Sequence, residues 1–265
     1  MDIIIGQDPS VMIVINILQE NRRVKSELCY IKGHEDKFYV RKTYDINSFY
    51  DRNNCIDNIQ IEFKKVYEIS NLNNFPNTLT KYVGYCRNEN QLMIAREFVN
   101  GSSMYQICSR IHQYKRNEIA EVFKQILNGI NYIYDNEHFN YDIHYYNIYM
   151  NELNVKITDW GNYYINEALD RAGIVNHFRQ CIVIFKDPYI YQSGQQHHME
   201  SSIYLIGLIM YSLCSNNTYK IRRFPINNIL PEYTYIQDLI NRMLNNNPKI
   251  RPTTQQIKSF LLANQ

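Results

Sequence analysis

Asp142, Asn147 and Asp159 are two carboxylates and an amide placed close enough in sequence to act on one substrate. Asn147 comes five positions after Asp142, and residues 148–150 and 155–158 flank the turn-type cluster Asn151-Glu152-Leu153-Asn154. The pattern predicts a short hairpin that holds Asn147 and Asp159 side by side at its two outer ends. A carboxylate and an amide oxygen held together suit a hard cation such as Mg2+, which takes few protein oxygens and completes its shell with water and substrate phosphates. Asp142 falls on the loop entering the hairpin, placed to take a proton from an incoming hydroxyl. The chemistry would be phosphate transfer. The plainer reading is a tyrosine-rich strand in which Asp and Asn satisfy their own backbone in turns.

The secondary structure around these residues changes character along the chain. The first hundred residues read as short strands, at 28–32 and 38–44 around the turn cluster Gly33-His34-Glu35-Asp36, and at 79–86 and 91–99 around 87–90. Between the two pairs, Ile59, Phe63, Val66, Ile69 and Leu72 keep a helical period over 56–72, which the segment 71–77 with Pro76 ends. Beyond Gly101 the period is helical throughout. Ile119, Val122, Phe123, Ile126, Leu127, Ile130, Ile133 and Tyr134 mark a long amphipathic helix, and 202–213 is apolar nearly all round, as a buried central helix would be. Ile236, Leu239, Ile240, Met243 and Leu244 form another helical face. Thr253 with Gln256 makes a capping-box signature directly after Pro252. A small β-rich lobe therefore joins a larger helical one near Glu97 to Gly101, and a ligand would be expected in the cleft between lobes.

Composition narrows the function classes. With 28 basic and 26 acidic residues among 265, the net charge of +2 makes no electrostatic case for a nucleic-acid or membrane surface. The six cysteines lie far apart with no C-x-x-C pair, so a reducing compartment is the simpler expectation. His197-His198 has no Cys or spaced His nearby to build a zinc site. The N-terminus lacks a basic start and its apolar runs fall short of a membrane span, which points to the cytoplasm. Abundant Asn, Ile, Lys and Tyr, the last numbering 24, suggest an AT-rich coding sequence such as a virus, intracellular bacterium or protist carries; the compartment would then be a host cytoplasm.

Asp142-Ile143-His144-Tyr145-Tyr146-Asn147 resembles the catalytic loop of protein kinases, H-R-D-L-x-x-x-N, and Asp159-Trp160-Gly161 resembles their D-F-G. Tyr39-Val40-Arg41-Lys42 resembles V-A-I-K. The stretch 92–101, L-M-I-A-R-E-F-V-N-G, is similar to the last small-lobe strand and hinge. Ser201 to Gly207, S-S-I-Y-L-I-G, resembles the start of the buried kinase helix, and 247–253, N-P-K-I-R-P-T, the family's D-P-x-x-R-P-T. The likeness covers about 11–262.

It implies an α+β, bilobal protein kinase-like fold. The N-lobe would take 1–97 with one main helix, the hinge 98–101, and a mainly helical C-lobe 102–265. It further implies ATP and Mg2+ as cofactors and a protein substrate or binding partner. Lys42 would contact the α and β phosphates, Glu97, Phe98 and Val99 would hold adenine through their backbone, and Asn147 and Asp159 would hold metal. Asp142 would orient or deprotonate the acceptor hydroxyl. The carboxylate partner of Lys42 is Glu62 by its spacing from the lysine, with Glu68 as the alternative relative to Phe75-Pro76-Asn77, which resembles the family's H-P-N.

The departures from the family pattern are equally specific. No glycine occurs in Asn21-Arg22-Arg23-Val24-Lys25-Ser26, where a glycine-rich loop should fall, which weakens backbone cradling of phosphates. Asn140-Tyr141 replaces H-R, removing the arginine that would meet a phosphorylated loop. His144 replaces a Lys or Arg, Ser202 stands where an Asp braces the catalytic loop, and Arg96 falls at the back of the adenine pocket. Asp187-Pro188-Tyr189 replaces A-P-E, so Arg251 must find Asp187 or stack on Tyr189. Three readings follow. The first is an active, divergent protein kinase-like phosphotransferase. The second is a pseudokinase that binds nucleotide or protein, and the third is a small-molecule kinase of the aminoglycoside or choline type, whose D-L-H-x-x-N His144 matches.

Overall fold

A computed structural model of the protein describes residues 3–20, 24–48, 52–110, 114–136, 143–161, 165, 187–189, 199–215 and 229–264. Two compact units divide them. One holds the residues up to Val99 together with Gly161 and Ile165; the other holds 100–160 and the described residues from Asp187 onward.

The first unit is a six-stranded antiparallel sheet with one long helix. In chain order its strands are β1 (Ile3–Gly6), β2 (Ile13–Glu20), β3 (Val24–Ile31), β4 (His34–Asp45), β5 (Tyr82–Arg87) and β6 (Gln91–Glu97), and the helix is α1 (Arg52–Ser70). The sheet order is β1-β5-β6-β4-β3-β2. The periodic apolar side of α1, Ile56, Ile59, Phe63, Val66 and Ile69, is buried. Phe63 stacks on Tyr85 with centroids 5.1 Å apart and meets Tyr82 edge-on at 6.2 Å. Burying each such side chain contributes roughly 1.5–3 kcal/mol, so this face fixes the helix on the sheet. Leu72, placed on the same face by its spacing, lies beyond the helix end and is exposed.

The opposite sheet face is covered by the chain's own beginning. Met12 packs with Cys29 and Ala95, against Ile31, Tyr39 and Val83. Arg41 fastens the segment: its guanidinium donates to Pro9 O at 2.9 Å and Met12 O at 3.4 Å, and pairs with buried Glu27 at 2.7 Å. Burial raises the Glu27 carboxyl, but hydrogen bonds from Lys25 and Arg41 outweigh it and hold the group below the ordinary carboxylate value. Gly84 is required where this segment crosses β5, since a Cβ there would lie 1.6 Å from Gln7 O.

The second unit is mainly helical: α2 (Met104–Cys108), α3 (Arg116–Asp135), α4 (Met199–Ser215), α5 (Gln237–Met243) and α6 (Thr254–Ala263). A small sheet of β7 (Ser102–Ser103), β8 (Ile148–Asn151) and β9 (Asn154–Ile157) completes it. In α3 the apolar face from Ile119 to Ile133 is buried, whereas Tyr134 turns to solvent. Apolar on every side, α4 is buried along 201–215 apart from partly exposed Leu205, as a helix with no polar face must be. Thr253 caps α6 as its spacing predicts: its hydroxyl accepts from Gln256 N at 3.2 Å while Gln256 accepts from Thr253 N at 2.9 Å. Cys29, Cys86, Cys108 and Cys214 are buried. Among the described residues no helix is long and apolar enough to cross a membrane.

Candidate active site

The hairpin β8–β9 turns at 151–154, where Glu152 takes a positive φ of 54°. Gln125 of α3 clamps the turn, donating to Leu153 O at 2.9 Å and accepting from Val155 N at 3.0 Å. At the open end Ile148 pairs with Ile157, so Asn147 stands opposite Thr158. Two bonds seal that pair: Thr158 N donates to Asn147 O at 2.7 Å and Thr158 Oγ1 to the same oxygen at 3.2 Å. Asn147 and Asp159 therefore emerge on adjoining strands, one residue out of step, and are only 8% and 5% exposed.

Asp159 has a φ of +57°. A non-glycine residue in that region is uncommon, Asp being among the few that tolerate it, and such backbone persists only where its surroundings over-determine it. Two oxygen-bearing residues, both buried and at neighbouring positions of the hairpin end, are of the donor type that Mg2+ takes, an ion that keeps several waters and draws its remaining ligands from phosphate. Among the described residues no group of three or more His, Cys, Asp and Glu is arranged to enclose a metal, so a cage of the calcium or zinc type is not built from them.

The residue two positions beyond Asp159 belongs to the first unit. Gly161 N donates to the Tyr82 hydroxyl at 3.2 Å, and a Cβ on Gly161 would lie 2.4 Å from Val66 Cγ2 on α1. Gly161→Ala is thus expected to overpack a buried position, costing about 1–3 kcal/mol. Combining it with Val66→Ala should cost less than the sum of the two single changes, by about 0.5–3 kcal/mol, which a double-mutant cycle of thermal unfolding measures. Neither Tyr82 nor Val66 was marked by any motif; the glycine after Trp160 was the signal available.

Lys42 lies in β4, half-buried, with Ile94 and Ser26 as cross-strand partners. Tyr85 also pairs with Ile94, and directly opposed residues share a sheet face, so Lys42 is on the face that carries α1. Arg41, its neighbour, points the other way into the Glu27 contact. On α1, Glu62 is 5% exposed among Ile59, Phe63 and Val66, whereas Glu68 is exposed to solvent. Between the two carboxylates that spacing left open, only Glu62 is on the buried side of the helix.

In the stretch expected to hold adenine, Glu97 N donates to Lys81 O at 2.9 Å and Phe98 N to Phe38 O at 3.0 Å. Those two N–H groups are engaged within the first unit and are not donors for a ligand. Arg96 is buried and curls toward its own strand, donating to Glu97 O at 3.2 Å. Val99 is half-buried.

His144, in the second unit, is 7% exposed, and its Nδ1 accepts from Tyr146 N at 3.2 Å. When the ring is neutral, that bond places its proton on Nε2. Asp142, Asn140, Tyr141, Arg22, Arg23, Cys181 and His197-His198 lie outside the described residues.

Arg251 finds Asp187. The guanidinium and carboxylate form a two-pronged pair at 2.6 and 2.8 Å, both side chains fully buried. Further bonds flank the pair: Arg251 donates to Glu200 O and Asn245 O, and Ser201 Oγ donates to Asp187 Oδ2 at 2.8 Å. The aromatic ring against the guanidinium is Tyr204, at 5.0 Å, rather than Tyr189, whose N–H instead donates to Asp187 Oδ1. Burial first, and Asp187 next, push the Tyr204 phenol up to about 12 against the opposing pull of Arg251, so it stays neutral beside the ion pair. The acid that meets Arg251 thus stands two residues nearer the N-terminus than the position at which the A-P-E pattern carries it.

A sequence profile of the protein kinase domain matches residues 28–261. The serine/threonine-protein kinase polo of Drosophila melanogaster is 26% identical over 206 residues, 71% of this chain and 34% of that protein. An Aurora kinase of Saccharomyces cerevisiae is 28% identical over 216 residues, 76% of this chain and 56% of that protein. The chain thus spans between a third and somewhat over half the length of these two relatives. Among solved structures, a kinase domain of Mycobacterium tuberculosis PknI superposes with a TM-score of 0.70 at 13% identity, covering 98% of this chain and 97% of that one. The likeness establishes the α+β bilobal kinase fold.

Proposed function

The chain belongs to the protein kinase family, and on that premise we propose that it is an active phosphotransferase moving the γ-phosphate of ATP to a protein hydroxyl. The observation that supports this reading is the pairing of Asn147 with Thr158, which sets the buried residues Asn147 and Asp159 at neighbouring backbone positions of one hairpin end. Asn147 and Asp159 would hold Mg2+, whose role when bound is to neutralise charge on the phosphates. Lys42 contacts the α and β phosphates, and Glu62, on the same layer of its unit, holds that lysine in place. Asp142 orients and deprotonates the acceptor hydroxyl. Glu97, through a remaining lone pair of its carbonyl rather than its engaged N–H, and Val99 would contribute backbone contacts to adenine. Phosphoryl transfer rests on positioning and charge neutralisation, and the residues that perform both are retained while those for loop regulation are lost. The near-balanced charge and cysteine spacing support a cytoplasmic setting without nucleic-acid or membrane partners.

One observation favours a pseudokinase instead, the absence of glycine from residues 21–26. Binding and transfer are separable. Saturating Mg-ATP at about 100 times its Kd should stabilise the wild type by about 2.7 kcal/mol, or roughly 5–10 °C in melting temperature. ATP without Mg2+ should give much less, and Asp159→Asn, which keeps shape and tolerance of positive φ, should abolish the difference made by the metal. An equal shift with and without Mg2+ in both forms would remove Asp159 from the metal site.

A further inference from the structure

Ser202 carries no charge and reaches less far than the Asp that braces the catalytic loop elsewhere in the family, yet the loop leading to Asn147 is tied to the buried helix by another side chain. Tyr145, 3% exposed, inserts its phenol against α4. The hydroxyl donates to Leu208 O at 2.6 Å and lies 2.7 Å from Ser212 Oγ. A phenol has one proton; with that proton on Leu208 O, Ser212 is the donor in the second bond. Leu208 and Ser212 are one helical turn apart on the same side of α4, so one hydroxyl reaches both.

The backbone of the same residue is held as well. Tyr145 O accepts from Tyr105 N at 3.1 Å, and the Tyr105 ring stacks on Tyr146 at 4.5 Å. Asn147 N then donates to His144 O at 3.0 Å, closing the loop into a turn just before β8. Tyr145 is therefore pinned at both its phenol and its carbonyl, three residues after Asp142 and two before Asn147.

We propose that Tyr145 is a positioning residue that takes over the bracing of the catalytic loop by hydrogen-bonding Leu208 O and Ser212 of the buried helix. This rests on the phosphotransferase reading for its effect on rate, though not for its effect on the loop. A buried aromatic filling space would need no hydroxyl. Tyr85 offers the contrast: its hydroxyl is buried with no hydrogen-bond partner among the described residues.

The test is Tyr145→Phe, with Ser212→Ala as a milder variant and Tyr85→Phe as a control, read by amide hydrogen exchange over 143–150 and by steady-state transfer from ATP. Tyr145→Phe should speed exchange at 143–147 at least tenfold, Ser212→Ala less, and Tyr85→Phe not at all. It should lower kcat about tenfold or more with KM for ATP unchanged, because a loop displaced by a fraction of an ångström misplaces the reacting groups without altering nucleotide contacts. Wild-type exchange in the loop of Tyr145→Phe overturns the proposal whatever the activity. Accelerated exchange in a protein whose wild type transfers no phosphate supports the brace and removes the phosphotransferase reading alone.

Discussion

Asp142→Asn is expected to lower γ-phosphate transfer by about 10²–10⁴ in kcat while leaving KM for ATP close to the wild-type value. The amide keeps the size of the carboxylate but cannot accept the proton of the attacking hydroxyl. The nucleotide contacts proposed here come from other residues, Lys42, Asn147 and Asp159, so the loss should fall on the chemical step. Steady-state kinetics with labelled ATP checks both parameters. A loss confined to KM would assign Asp142 to nucleotide binding instead.

The second large effect is on stability. Arg251 and Asp187 are completely buried and bonded to each other, so Arg251→Ala leaves a carboxylate in the interior with, among the described residues, Ser201 Oγ and Tyr189 N to answer it. Breaking one side of such a pair costs about 3–5 kcal/mol. In a domain of this size that is on the order of 10 °C in melting temperature. Replacing both partners, as Asp187→Leu with Arg251→Met, removes the unpaired charge and should recover most of the loss, since a buried ion pair contributes little over well-packed apolar groups. Thermal unfolding of the two single variants and the double variant decides it. If the double variant is as unstable as the singles together, the bonds to Glu200 O and Asn245 O matter more than the ion pair.

Long elements with a one-sided or all-round apolar period were legible: apart from exposed Leu72 and Tyr134 and partly exposed Leu205, α1, α3 and α4 bury the residues their spacing marks, and α6 begins at the cap that Thr253 and Gln256 spell. The run 11–18 is different. Ile13, Val14, Ile15, Ile17 and Leu18 form an edge strand in which all are exposed, so no alternation distinguishes one face from the other, and shifts at Val14/Asn16 and Ile17/Gln19 break its register. The short elements β1, β7 and α2 are too brief to carry a period. At the site, the hairpin that joins Asn147 to Thr158 was readable because its turn residues lie between two β-rich runs. Tyr204 against Arg251, Val66 against Gly161 and Leu208 above Tyr145 were not, because each contact joins segments distant in sequence that only packing brings together.

Phosphotransfer itself is tested by incubating the wild-type chain with γ-labelled ATP, Mg2+ and a protein mixture, beside an aminoglycoside and choline panel. Label is expected on protein, requiring Mg2+ and disappearing with Asp142→Asn. Label on neither class of acceptor, despite a Mg-ATP-dependent rise in melting temperature, would contradict transfer to protein and leave a nucleotide-binding module; label on the small molecules alone would contradict it in favour of a small-molecule kinase.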